Sequence, residues 1–212
     1  MSAAQPVRLM LVTDAGRLAG RSQADIVAAA IAGGVTRVQV RERSMPGGPF
    51  LRLVEEILAV AKGRAAAKVA VHVNDRLDVA LAARAAGVHL PAAGFPIQAV
   101  RRKVGPRFRI GRSVHSLAEA KAAQKEGADE LIFGPIFATP EKAPFGPPQG
   151  IDALRKVVDA VRVPVWAIGG ITASTAVELR GLPIAGVAAI GAYSLAEDPA
   201  RAARDLLAAL SG

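Results

Sequence analysis

Residues suited to chemistry recur where apolar runs of the chain end. Gln39 and Arg41 stand two apart at the close of one run, so their side chains share a strand face. An amide beside a guanidinium matches the oxygen pair of a phosphoryl group; an ion pair of Arg41 with Glu42 or Asp14 is the structural alternative. Asn74-Asp75 ends another run and could set an amide and a carboxylate beside a metal-bound pyrophosphate, while Asp75 is also explained as a helix N-cap. Ser113-Val114-His115-Ser116 offers a hydroxyl and an imidazole, the side chain whose ordinary pKa suits it to moving protons near neutrality. Gly169-Gly170 ends a further apolar run with a candidate helix cap just beyond, and Ile190-Gly191 ends another that is followed by a helix opening at Asp198-Pro199. Adjacent glycines let backbone N–H groups approach an anion without a Cβ in the way, and a helix opening there adds its positive end. Lys142, in the proline-rich stretch 139–150, could swing onto a bound anion. His72 and His89 read as structurally satisfied interior histidines.

These groups need a scaffold that brings strand ends together. Eight β-branched-rich runs cover residues 7–13, 35–41, 68–74, 87–90, 109–113, 129–134, 163–169 and 184–190, with helix-like segments between them. Eight strand-helix repeats predict an α/β fold, a single (β/α)8 TIM barrel over residues 1–212, with an open doubly wound sheet as runner-up. Parity puts Val38 and Val40 on one face and Arg37, Gln39 and Arg41 on the other; likewise His72 and Asn74 oppose Val71 and Val73. The polar sets gather toward C-terminal strand ends, the end at which such barrels carry their sites. Ser22 with Asp25, Asp75 with Asp78, and Ser116 with Glu119 have capping-box spacing, and Asp198-Pro199 opens a last helix. Helices are expected over 24–32, 79–86 and 200–210. Four prolines and two glycines forbid regular structure in 139–150, and a loop of that length usually serves function.

Composition narrows the ligand. With 51% apolar and 21% charged residues the chain is globular, and without cysteine it has neither disulfide nor thiolate chemistry. No secretory or membrane-spanning pattern is present, so a soluble cytoplasmic protein is expected. The formal charge of +9 attracts anions, but the charge is scattered and aromatic residues make up only 4%. Small phosphorylated metabolites therefore fit better than nucleic acid or membrane.

Six motifs in order give the chain a family likeness: Gln39-Val40-Arg41-Glu42-Arg43, Asn74-Asp75-Arg76, Gly87-Val88-His89-Leu90, Gly111-Arg112-Ser113-Val114-His115-Ser116, Gly134-Pro135-Ile136-Phe137-Ala138-Thr139 and Ala167-Ile168-Gly169-Gly170-Ile171. The set resembles the thiamine phosphate synthase and thiazole tautomerase (TenI) family. That resemblance implies a barrel, usually homo-oligomeric, holding a thiazole phosphate on amides around Gly169-Gly170 and Ile190-Gly191. It further implies that Gln39, Arg41, Asn74 and Lys142 contact a pyrophosphate, with Arg43, Ser113 and Thr139 as further substrate contacts, and that Asp75 is a magnesium ligand. Three positions depart from the synthase pattern: Gly94 stands where a second aspartate is expected, Arg43 replaces a lysine, and Glu141 replaces a threonine.

Losing a carboxylate and adding an acid near pyrophosphate weigh against its ionisation, which favours the tautomerase branch. In that reading His115 shuttles a proton to aromatise a carboxythiazole phosphate, Arg41 anchors the carboxylate end, and no cofactor is needed. The alternatives are a magnesium-dependent synthase coupling an aminopyrimidine methyl pyrophosphate with thiazole phosphate, and a non-catalytic barrel that binds thiamine phosphates to regulate a partner.

Overall fold

Alternation of apolar and polar side chains makes each expected run a ribbon with one face for helices and one for a lumen. In a computed structural model, which describes residues 8–18, 20–63, 69–139 and 146–211, all eight runs form strands. They are β1 (Arg8–Val12), β2 (Val35–Val40), β3 (Ala70–Asn74), β4 (Gly87–Leu90), β5 (Arg109–Val114), β6 (Glu130–Phe133), β7 (Val165–Ile168) and β8 (Gly186–Ala189). Each pairs in parallel with the next, and β8 pairs back onto β1, so the sheet closes into a barrel. Closure removes the open doubly wound alternative. Helices α1 (Gln23–Ala32), α2 (Gly47–Gly63), α3 (Leu77–Ala82), α4 (Ile97–Val104), α5 (Leu117–Lys125) and α6 (Gly150–Ala160) follow the first six strands. After β7 comes α7 (Ala173–Ala176), and after β8 come α8 (Gly191–Ser194) and α9 (Pro199–Ser211).

Parity sorts the core as expected. Val38 and Val40 are fully buried in the shell between strands and helices, together with Phe50, Val54 and Ile57 of α2. Met10, Val12, Ile132, Trp166 and Ala188 form a separate cluster inside the ring. Among the described residues no helix is long and apolar enough to cross a membrane.

Three of the four expected caps are made. Ser22 accepts from the Asp25 N–H, Ser116 from the Glu119 N–H, and Asp198 from the Ala200 and Arg201 N–H groups. The fourth is not. Asp75 has φ 64°, and the N-cap position of α3 falls to Arg76, which makes no side-chain cap bond. Its left-handed backbone sends the Asp75 N–H to the His89 carbonyl, and Asp78 instead takes a two-pronged hydrogen bond from the Arg76 guanidinium at 2.9 and 2.6 Å. The helix expected over 79–86 also ends early, at Ala82, because Arg84 turns to φ 54° and Ala86 donates to Val71 of β3.

Candidate active site at the strand ends

In a closed parallel barrel all eight C-terminal strand ends share one rim, and hydrogen bonds knit neighbouring ends of that rim together. At the β1 and β2 ends, the Arg41 N–H donates to Thr13 Oγ1 at 2.9 Å. Glu42 is occupied by Gln23 Nε2, Thr13 Oγ1 and the Ala15 N–H, and Asp14 by the Gly16 N–H and Arg17. Neither acid forms an ion pair with Arg41, so the structural alternative for that guanidinium falls away. Residues 14–16 and 41–45 line an open cleft of about 530 Å³ that includes Arg41 and Arg43. Burial and the neighbouring Arg43 charge lower the Arg41 pKa, with Asp14 and Glu42 opposing. A phosphoryl anion in the cleft would relieve that crowding of cations. Gln39, 4% exposed on the adjacent lumen face, has an Nε2 with no partner among the described residues.

At the β3 and β4 ends stand Asn74 and Asp75. Asp75 is exposed, and its carboxylate takes neither hydrogen bond nor ion pair among the described residues. A non-glycine residue held at positive φ costs of order 1–3 kcal/mol, and here the strain frees a carboxylate from a capping role. Gly94 lies in the turn after β4, where an added Cβ would sit 3.0 Å from Pro91 backbone and ring atoms. Arg112 braces this turn by donating to the Pro91 and Phe95 carbonyls.

His115 follows β5. Its Nδ1 lies 2.5 Å from the Gly134 carbonyl oxygen, and its backbone N–H donates to Glu119. A carbonyl can only accept, so Nδ1 carries the proton and the neutral ring keeps a lone pair on Nε2. That is the tautomer a general base requires. Ser113 meets His89 Nε2 at 2.7 Å.

Gly169 and Gly170 have φ 100° and 66°, and Cβ atoms there would fall 2.5 Å from Pro135 and 2.6 Å from Phe137. Glycine is thus required for backbone shape and for packing against the segment after β6, a stronger reason than ligand approach alone. The Phe137 N–H donates to the Gly169 carbonyl, so this segment, which ends at half-buried Thr139, lies alongside the glycine pair. The N–H groups of Gly170, Ile171, Gly191 and Ala192 have no acceptor among the described residues. Since β7 and β8 are paired neighbours, these donors form one anion-receptive stretch of rim. Lys142 and Glu141 lie outside the described residues.

Two features escaped the sequence. The short helix α8 was not expected, because Ile190 at its N-cap offers no side-chain cap. Nor was the buried charge cluster inside the ring, where Glu130 receives hydrogen bonds from Arg37 at 2.7 and 2.6 Å and from Trp166 Nε1 at 3.3 Å, with His72 Nδ1 also 3.3 Å away. Sequence parity grouped Arg37 with the rim; its partners on β6 and β7 hold it below the rim instead. His72 and His89 are both interior, and His72 is partnered as expected; His89 is only half satisfied, its Nε2 meeting Ser113 while its buried Nδ1 has no partner among the described residues.

Burial pulls the His89 pKa down to about 3 from 6.5, against the opposing charge of Glu130. Between those values the unfolded chain binds a proton that the folded one refuses, so stability declines as pH falls through that window. The slope should approach about 1.4 kcal/mol per pH unit. His89→Asn should flatten it, measured as urea midpoints between about pH 7.5 and about pH 4; an unchanged slope would show that His89 already titrates in the fold.

Fold and site together define a (β/α)8 barrel whose rim carries unbonded backbone N–H groups, arginine, an exposed carboxylate and a tautomer-fixed histidine. Residues 9–193 match the family profile described as thiamine monophosphate synthase. The thiamine-phosphate synthase of Chloroflexus aurantiacus is 41% identical over 96% of this chain and 93% of its own. That of Anaeromyxobacter dehalogenans is 44% identical over 85% and 80%. The solved structure of thiamine phosphate pyrophosphorylase from Pyrococcus furiosus superposes with TM-score 0.86 at 33% identity, covering 98% of both chains. The chain belongs to the thiamine monophosphate synthase family.

Proposed function

We propose that this chain joins an aminopyrimidine methyl pyrophosphate to a thiazole phosphate, releasing pyrophosphate and giving thiamine phosphate. The observation that carries this reading is Asp75, an exposed carboxylate on a strained backbone at a strand end, with no cap to make. The names of the relatives at 41% and 44% identity support it and shift the weight from proton transfer to coupling.

Among the described residues no cluster of three or more His, Cys, Asp or Glu could cage a metal. Magnesium seldom needs one, since one or two carboxylates and substrate phosphate oxygens suffice. Asp75 fits that role, and Gly94 need not supply a second acid. Bound there, the ion would offset charge building on the departing pyrophosphate. The chain's own groups do the remaining work. Arg41, Arg43, Gln39 and Asn74, with Thr139 and Lys142, grip the pyrophosphate, and Ser113 offers a hydroxyl. The Gly169-Gly170 and Ile190-Gly191 amides hold the thiazole phosphate. As the carbon–oxygen bond breaks, its electron pair leaves with pyrophosphate; the thiazole nitrogen then supplies the pair for the new carbon–nitrogen bond. No proton is lost in forming that quaternary nitrogen.

Thiazole tautomerase is the second reading, favoured by the free Nε2 of His115. The purified protein is offered the thiazole tautomer alone, and separately the aromatic thiazole phosphate with the pyrimidine pyrophosphate and magnesium. Coupling is expected at enzyme-like rates; isomerisation without coupling would overturn the proposal, and binding without turnover in either tube would point to a regulatory barrel.

A further inference from the structure

We infer that His89 is a positioning residue for substrate recognition. Seated below the rim beside Glu130, it accepts the Ser113 hydroxyl hydrogen at Nε2 and so leaves Ser113 Oγ as an acceptor for the exocyclic amine of the aminopyrimidine. This deepens the proposed function and rests on its choice of an aminopyrimidine methyl pyrophosphate as substrate.

His89 of β4 stands opposite Gly111 of β5, and Ser113 shares the strand face of Gly111 one step closer to the rim. The His89 residue is 2% exposed, and its Nε2 lies 2.7 Å from Ser113 Oγ. Its Nδ1, also buried, has no hydrogen-bond partner among the described residues. That nitrogen does have a charged neighbour. The point a Cβ on Gly111 would occupy is 2.7 Å from His89 Nδ1 and 3.5 Å from Glu130 Oε1, so glycine leaves ring and carboxylate facing one small space. Of the charged groups acting on the ring, Glu130 is the strongest, ahead of His72 and Arg112.

This placement fixes the ring proton. A neutral imidazole carries one N–H, and in a low-dielectric interior a carboxylate attracts an N–H where it would repel a lone pair. The proton therefore sits on Nδ1, and Nε2 presents its lone pair to Ser113. Ser113 must donate, because two lone pairs at 2.7 Å would repel each other. With its one hydrogen committed to His89, the half-buried Ser113 at the end of β5 offers only lone pairs to the rim. Of the two proposed substrates, only the aminopyrimidine brings an N–H to meet them. Thiazole phosphate has none.

One measurement on wild type and one on variants test this. With isotope-labelled histidine, the imidazole nitrogen resonance that Ser113→Ala displaces belongs to His89 Nε2 and should be that of an unprotonated nitrogen; a protonated Nε2 would overturn the proposal. Calorimetry with magnesium withheld then compares the aminopyrimidine methyl pyrophosphate with an analogue carrying an oxo group in place of the amine. Wild type should prefer the amine. Ser113→Ala and His89→Leu should each cut that preference by roughly 10- to 100-fold, the first by removing the acceptor and the second by freeing its hydrogen to meet the oxo group. The double variant should lose no more than either single one. His89→Gln, whose amide oxygen can accept in place of Nε2, should recover most of the loss. In coupling assays the KM for the pyrimidine should rise while that for thiazole phosphate stays within about twofold. A merely structural His89 would leave the amine preference intact in His89→Leu, and that result would refute the assignment. Should wild type prefer the amine yet couple nothing, the proposed function fails while the role of His89 stands. If neither His89 variant folds, the nitrogen spectrum and Ser113→Ala still decide it.

Discussion

Glu130→Ala is expected to destabilise the barrel by about 3–5 kcal/mol, the usual result of stripping one partner from a buried ion pair. The Glu130 side chain is 6% exposed and that of Arg37 15%. Removing the carboxylate leaves the Arg37 guanidinium inside the ring with His72 Nε2 at 3.3 Å and the Trp166 face, 5.3 Å away, as its remaining compensating interactions. It also orphans the Trp166 indole N–H, which donates to Glu130 at 3.3 Å. Glu130→Gln keeps the volume and part of the hydrogen bonding and should cost less. Burial pushes the Glu130 carboxyl up, but the hydrogen bond and charge of His72 and the charge of Arg37 outweigh it and hold the group well below its ordinary 4.5. A depressed folded pKa means this stabilisation is complete above the ordinary carboxylate range and fades as pH falls toward the folded value. Urea unfolding of the variant at neutral pH checks the size; a midpoint matching wild type would mean that Arg37 finds another partner.

That cluster marks the limit of what the sequence makes legible. The strands were readable because each carries its own period: Val38 and Val40 alternate with Gln39, and the period survives whatever packs above it. Ser22, Ser116 and Asp198 were readable as caps because a cap is made within three residues. Asp75 has the same spacing to Asp78 and is no cap, since the decision belongs to the His89 carbonyl on the neighbouring strand, which takes its N–H. Glu130 and Arg37 stand 93 positions apart, and only barrel closure brings them together. Gly94 is legible as a departure from the family pattern, but its consequence for magnesium is not, because one or two carboxylates with substrate oxygens can complete such a site.

Asp75→Asn is expected to lower kcat/KM for coupling on the order of a thousandfold, equivalent to several kcal/mol of metal-borne charge stabilisation. Asparagine suits this test because it has nearly the same shape and tolerates positive φ better than most residues, so the backbone at φ 64° need not change. The side chain is exposed and makes no cap, so the melting transition should hold while the magnesium concentration for half-maximal coupling rises. His115→Ala should have the complementary phenotype. Coupling forms a carbon–nitrogen bond from a lone pair and has no proton to remove, whereas aromatising a carboxythiazole phosphate is proton transfer throughout. Any isomerisation should therefore vanish in His115→Ala and persist in Asp75→Asn, and coupling should do the reverse. Wild-type coupling at wild-type magnesium in Asp75→Asn would detach the carboxylate from the metal. The strained turn would then serve its backbone bond alone, the Asp75 N–H donating to the His89 carbonyl at 2.8 Å.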